Sequence, residues 1–232
     1  MRVAVRFSRG DAVREMTHAE AIRTWEEALA HTGLPIETGE GHLHRRRFAL
    51  AAPLPAGYTS DAEWLELHLS EPRPPSEVVA ALNQRLPEAV RALEARALFE
   101  GEPSLQSQVR FAEYRILTRA GTPVAGLEEA IDAFFARERY PWEENFDGRR
   151  KHFDLRDLVD DLWVEQSEAG NALGMRLDAA ATGTGRPDSV LTGLGLGDAA
   201  HKHRTRLLFS YVPEALRLWR RTGRFQPERQ ER

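Results

Sequence analysis

Along roughly the first hundred residues, apolar side chains recur at every second position, then at helical spacing. The order reads strand, helix, strand, strand, helix, strand. That order predicts an α+β fold with a ferredoxin-like first half, βαββαβ, in which helices pack on one face of an antiparallel sheet. A polar connector, GEPSLQSQ at 101–108, precedes a second run of strand and helix patterns of related plan. We therefore expect two ferredoxin-like halves, 1–105 and 106–225, and a disordered tail at 226–232.

In RVAVRFSR (2–9), Val3, Val5 and Phe7 alternate with polar positions, which makes a first strand. MTHAEAIRTWEEALAHTG (16–33) changes period. Ala21, Ile22, Trp25, Ala28 and Leu29 share one helical face, Thr17 and Glu20 form a capping box, and Gly33 is the stop. RRFALAAPLP and AEWLELHLSE read as strands around a turn through PAGYTSDA; in the second, Leu65, Leu67 and Leu69 alternate with Trp64, Glu66 and His68. PPSEVVAALNQRLP (74–87) is a short helix with Ser76 as its N-cap, while AVRALEARALFE has helical propensity in a strand's place. The second half opens on a strand, VRFAEYRILTRA, and an amphipathic helix, GLEEAIDAFFAR (126–137). RYPWEEN and KHFDLRDL follow, then a hairpin in DLWVEQSEAGNALGMRLDAA turning at EAGN, a short helix in GRPDSVL, and a helix after Pro213.

The 232 residues are 41% hydrophobic and 29% charged, ordinary for a globular chain. No apolar run reaches the roughly 20 residues that span a bilayer. MRVAVRFSRG lacks the apolar core of a signal peptide, so a cytoplasmic protein is expected. Cysteine is absent, which excludes disulfides, a cysteine nucleophile, thiolate zinc sites and a cysteine-held iron–sulfur cluster in this chain. The net charge of −4 argues against wholesale coating of nucleic acid, but residues 201–232 hold nine cations and three carboxylates. An interaction end and a plain basic helix are both open readings. Only Lys151 and Lys202 are lysines, and the arginine excess with abundant alanine points to a GC-rich genome.

The stretch GEGHLHRRRFALAAPLPAG (39–57) carries the densest chemistry. His42 and His44 would share a strand face and give two metal ligands, with a third from His18, Glu20 or the His201-Lys-His203 repeat of the spacing. Cysteine is absent and His-x-His alone is incomplete, so no bound metal and no cofactor are expected. Arg45 and Arg47 would also share a face, beside glycines that let backbone approach an anion. Arg149, Arg150, Arg204 and Arg206 are candidate partners in an anion or RNA surface. The plain alternative is a solvated strand. His18 and Glu20, at a helix start with Arg23 and Glu26 along the flank, are candidate acid and base, against a capping and salt-bridge role. Asp154 and Arg156 read as an ion pair on one strand face, or as ligand-positioning groups. There is no Gly-x-Gly-x-x-Gly motif, phosphate-binding loop or nucleophile elbow.

The ordered set His18, Glu20, Arg23, Glu26, Gly33-Leu34-Pro35, Gly41, Arg47, Pro53-Leu54-Pro55, Gly57, Ser60 and Glu63 resembles the radical SAM-linked domain family, and KHFDLRDLV and GRPDSVL extend the likeness along nearly the whole chain. That family's domain is fused C-terminally to radical SAM proteins or encoded beside them. Here His42, His44 and Arg46 stand where the family has Phe and two Pro, and no radical SAM domain is attached. The resemblance implies an accessory or binding module that recognises RNA or presents a substrate to a separately encoded radical SAM enzyme. The alternative is a stand-alone enzyme acting on a nucleotide or nucleic acid through His18 and Glu20. The lack of a complete catalytic constellation favours the module, with no activity alone and no membrane partner.

Overall fold

Val3, Val5 and Phe7 are buried along β1 (Arg2–Arg9), as their alternation requires. In this computed structural model the described residues are 1–39, 46–118, 123–146, 149–167, 170–180, 183–196 and 199–210. His42, His44 and Arg45, the helix expected after Pro213 and the 226–232 tail lie outside them. Helix α1 (His18–Ala30) begins at the expected capping box, Thr17 accepting from the Glu20 N–H while the Glu20 carboxylate accepts from the Thr17 N–H at 2.8 Å. It buries Ala21, Trp25, Ala28 and Leu29, with Trp25 edge-on to Phe7 at 4.9 Å. Gly33, at φ +71°, turns the chain out of the helix in a conformation costly for any other residue.

Three residues of β2 (Phe48–Leu50) and the whole of β3 (Thr59–His68) follow, then α2 (Pro75–Asn83) and β4 (Val90–Ala97). The expected Ser76 cap is not used. Pro74 is the N-cap without a side-chain bond, and Pro75 starts the helix because its fixed φ suits the first turn and its missing N–H would be unpaired there. AVRALEARALFE resolves as a strand: Val90 and Ala92 are buried against β1, and that packing overrides helical propensity. The connector is a bound segment rather than a loose linker. It forms α3 (Leu105–Gln108), and the buried Glu66 carboxylate takes both the Leu105 N–H at 2.9 Å and the Arg2 Nε at 2.7 Å. Glu102, also buried, is held by Arg96 at 2.8 Å.

The second half contributes β5 (Val109–Leu117), α4 (Val124–Phe135), the β6 (Pro141–Phe146)/β7 (Arg149–Asp154) hairpin, β8 (Val159–Ser167), β9 (Gly170–Ala180), β10 (Gly183–Thr184), α5 (Pro187–Gly193) and β11 (His201–Phe209). Instead of two separate sheets, nine strands form one. From one edge the order is β4, β1, β3, then β2 and β11 side by side along β3, then β5, β9, and β8 with β10. The β6/β7 hairpin stands apart. All pairings are antiparallel except β11 with β3, joined in parallel at His203↔Thr59 and Arg204↔Ser60. Two cores result. One packs Trp25, Leu29, Val78 and Leu82 on Val3, Val5, Leu65 and Leu67; the other packs Phe134, Val190 and Leu191 on Tyr114, Ile116, Leu173 and Met175. Ala4, between Val3 and Val5, belongs to the second core, so the two cores meet across the shared sheet; the ladder Arg9–Ser60–Arg204–Tyr114 runs from the α1 side of β1 to the α4 and α5 side of β5, which places these helices on one face.

Two residue pairs of backbone ladder are a slight joint, and a buried charge reinforces it. The Arg204 side chain is 2% exposed, with Nη1 at 3.0 and 3.1 Å from the two Glu63 oxygens. Its Nη2 donates to the Pro53 carbonyl at 2.6 Å and to the Tyr114 hydroxyl at 3.2 Å. Ser60 Oγ donates to the Arg204 carbonyl at 3.1 Å. Burial works against the guanidinium charge, but Glu63 and Tyr114 outweigh it and raise the pKa. Removing one partner of such a pair leaves an uncompensated buried charge, so Glu63→Ala is expected to cost about 3–5 kcal/mol. The double change Glu63→Leu with Arg204→Met should lose less than the two single changes together, as read by urea unfolding in a double-mutant cycle.

Candidate functional site

Outside the Arg204 cage, the seam carries a second polar cluster. Thr59 Oγ1 lies 2.7 Å from His203 Nδ1 and 3.3 Å from His201 Nε2, and the two imidazoles stack with centroids 6.1 Å apart. Asp61 stands 3.4 Å from His203 Nε2, and Asp11 stands 3.4 Å from His201 Nε2. Asp61 favours a proton on Nε2, which leaves Nδ1 to accept from the Thr59 hydroxyl. Burial, with help from His201 and Arg115 and against Asp61, lowers the His203 pKa. Lys202 points to the other side, bonding Asp188 at 2.8 Å over the Tyr58 ring. Burial and the Asp188 carboxylate push the Tyr58 phenol well above its ordinary value.

From His203 a row of directly paired residues crosses the sheet: Thr59, His203, Arg115, Gly174 and Trp163. Paired residues project from the same face, here the one opposite α4 and α5. Glu165 braces this row. Its Oε2 accepts from Arg115 Nε and its Oε1 from Trp163 Nε1, both at 2.8 Å. The next row is Arg206, Glu113, Arg176 and Asp161. Glu113 accepts from Arg176 at 2.8 Å and lies 3.6 Å from Arg206, while Asp160 meets Arg176 at 3.3 Å. Arg115, Arg176 and Arg206 keep 35–43% of their side chains exposed despite these contacts. Further along, Phe111 and Asp178 pair and line a cleft of about 610 Å³ at the end of α4, with Phe135, Arg110, Arg137 and Arg156, and the carboxylates of Glu138, Asp157 and Asp160. The Arg156 guanidinium lies 4.5 Å over the Phe135 ring and that of Arg110 lies 5.3 Å over Phe111. Flat cations on aromatic faces, beside hydrogen-bonding edges, suit a planar polar ligand.

The residues singled out in the sequence are scattered. Arg206 is on the open face. Arg204 is two residues away but buried inside the seam, where Glu63, Pro53 and Tyr114 take its two terminal nitrogens, so it is out of reach of a phosphate on the open face. Arg47, at the entry to β2, bonds Glu37 at 2.7 Å, and Arg150 lies 3.4 Å from Glu143 on the separate hairpin. Arg149 opens β7, with its side chain outside the described residues. Glu20 is held in the cap of α1, where the Thr17 hydroxyl and N–H lower its pKa; a carboxylate fixed this way does not pair with His18, two residues earlier and exposed. Asp154 and Arg156 do not share a strand face. Asp154 ends β7 and accepts from the backbone of Tyr140 and Arg156 at 2.8 and 3.0 Å, while the Arg156 side chain reaches the Val159 carbonyl. Among the described residues no group of three or more His, Asp or Glu is placed to hold a metal ion, and no helix is long and apolar enough to cross a membrane. Trp163, Arg115 and Glu165 escaped the sequence reading. The signal was present in Trp163 and Glu165 at alternate positions of the expected hairpin, but its facing partner on β5 was not.

Fold and site together define an α+β protein built on a large, mostly antiparallel sheet with one polar face. Residues 2–187 match the family described as an uncharacterized protein conserved in bacteria (DUF2344), and the chain belongs to that family. No curated protein matches it. Among solved structures, a chain in the crystal structure of a Cbf5–Nop10–Gar1 complex is similar at 12% identity and a TM-score of 0.46, over 88% of this chain. This chain spans 48% of that one, about half its length, and at such a score the likeness carries no argument.

The lowered His203 pKa has a definite sign. Between that value and the ordinary imidazole value near 6.5, the unfolded chain binds a proton that the folded chain does not, so this contribution is complete above about 6.5 and is lost as pH falls through the window. Urea unfolding at pH 7.5 and 5.5 should show lower stability at the acid pH, and His203→Gln should show a smaller difference.

Proposed function

We propose that the protein is a binding module that takes single-stranded RNA on the open face of its second half. The observation that carries this reading is the run of half-exposed Arg115, Arg176 and Arg206 beside His201 and His203 on one sheet face. An antiparallel sheet with such a face offers stacking surfaces and donors to splayed bases. In support of the finer fold expectation, both halves share one connection order, β4-β1-β3-β2 and β11-β5-β9-β8, which we read as two ferredoxin-like repeats dividing near residue 105. Arg45, Arg47, Arg149 and Arg150 remain candidates for outlying phosphate contacts. The family resemblance adds a partner, a separately encoded radical SAM enzyme to which the bound RNA is presented; co-purification with that enzyme tests it.

Because carboxylates already neutralise much of this face, the salt dependence should be shallow. For single strands the slope of log K against log salt is about 0.7 per phosphate neutralised, so a slope near 1–2 is expected. Arg115→Ala with Arg206→Ala should lower both affinity and slope in a salt series with a labelled decanucleotide RNA. Wild-type protein that binds no RNA above background would overturn the reading.

A further inference from the structure

Trp163 is a large aromatic side chain outside the cores. Its neighbour Leu162 is buried in the second core, and Trp25, Trp64 and Trp142 are in or against a core, whereas Trp163 is in neither cluster. It lies on Gly174 instead. A Cβ at position 174 would stand 2.0, 2.2 and 2.5 Å from Cε2, Nε1 and Cζ2 of the indole. Three joined ring atoms that close to one point, with Nε1 still reaching Glu165, place the ring across the glycine with its other face turned away from β9. Gly174 is thus the one residue type that lets the indole settle on the strand. The same carboxylate that holds the indole N–H holds the Arg115 guanidinium, which is paired directly with Gly174. Two flat groups are fixed side by side on the sheet, and their rotamers are set before any ligand arrives.

Resting on the RNA reading above, we propose that Trp163, seated on Gly174 and braced with Arg115 by Glu165, is the platform on which one base of the bound strand stacks, with purine preferred over pyrimidine. The bracing carboxylate offsets the arginine's charge, so the pair offers a flat surface more than a phosphate contact. Stacking accepts any base but strengthens with ring area, and this gives a purine preference without a base-edge code.

The alternative role for Trp163 is structural, covering a glycine in the strand. Binding and stability therefore need to be read together. The probes are oligoadenylate and oligouridylate decamers and a decamer of the adenylate with a single abasic position, titrated against wild type, Trp163→Leu, Trp163→Phe and Gly174→Ala, with urea unfolding of each variant. We expect wild type to bind oligoadenylate more tightly than oligouridylate. Trp163→Leu should weaken oligoadenylate roughly tenfold to a hundredfold and remove the preference, with the salt slope unchanged. Trp163→Phe, which keeps an aromatic face but not the Glu165 bond, should stay within about threefold. Gly174→Ala should also weaken binding, because the new Cβ displaces the ring while the fold persists. Loss tracking unfolding across all variants, or a folded Trp163→Leu protein that binds both homopolymers as wild type does, overturns the platform and leaves the RNA reading in place. No binding by wild type to any decamer overturns both.

Discussion

The ion pair between Arg204 and Glu63 ties the last described strand to the first half of the chain. Without it, β11 would meet β3 through two parallel residue pairs and a few side-chain bonds. A guanidinium taken out of water needs partners for its charge, and here Glu63, the Pro53 carbonyl and the Tyr114 hydroxyl, from three segments at once, meet both terminal nitrogens while the buried Nε is left unpaired. Glu63 and Pro53 belong to the first half, Tyr114 to the second. The pair therefore fixes the relative placement of the halves, and an apolar replacement of equal volume would not specify it as narrowly.

That placement decides what is left open. Because Arg204 turns inward and His203 outward, the seam has a dry side and a wet side one residue apart on β11. Because the ladder Arg9–Ser60–Arg204–Tyr114 joins the α1 side of β1 to the α4 and α5 side of β5, the neighbouring row Thr59–His203–Arg115–Gly174 lies on the side of the sheet these helices leave uncovered. The rows of Arg115 and Arg176 lie there, each guanidinium beside a carboxylate that holds it in place. An open face follows from joining two one-sided units in the same sense.

Local physics was legible and its long-range partners were not. The period change at residue 16, the Thr17–Glu20 box and the leucine alternation of β3 rest on neighbours in sequence, and each appears in the structure as the residues dictate. Ser76 failed because a proline one residue earlier starts a helix without help. Pro53, Ser60 and Glu63 stood out as a motif, yet their common task, to receive Arg204, depends on a strand more than 140 residues later. Arg204 itself looked like a surface cation because its charge is visible in a sequence and its burial is not. Trp163 was missed for the reverse reason: β8 carries apolar residues on both faces, Leu162 on one and Trp163 on the other, so composition could not say which one leaves the core.

Charge balance separates this face from a polyanion groove. A surface that grips phosphates keeps its arginines free of carboxylates, and its affinity falls steeply with salt. Here Glu113 and Glu165 each hold an arginine at 2.8 Å, and Glu165 uses its second oxygen for an indole. A guanidinium paired in plane retains its flat faces while giving up part of its field, and an indole bound through its N–H does the same. Such groups recognise other flat groups. In the proposed role, the chain's overall charge of −4 would leave nucleic acid to be held by contact rather than gathered by long-range attraction.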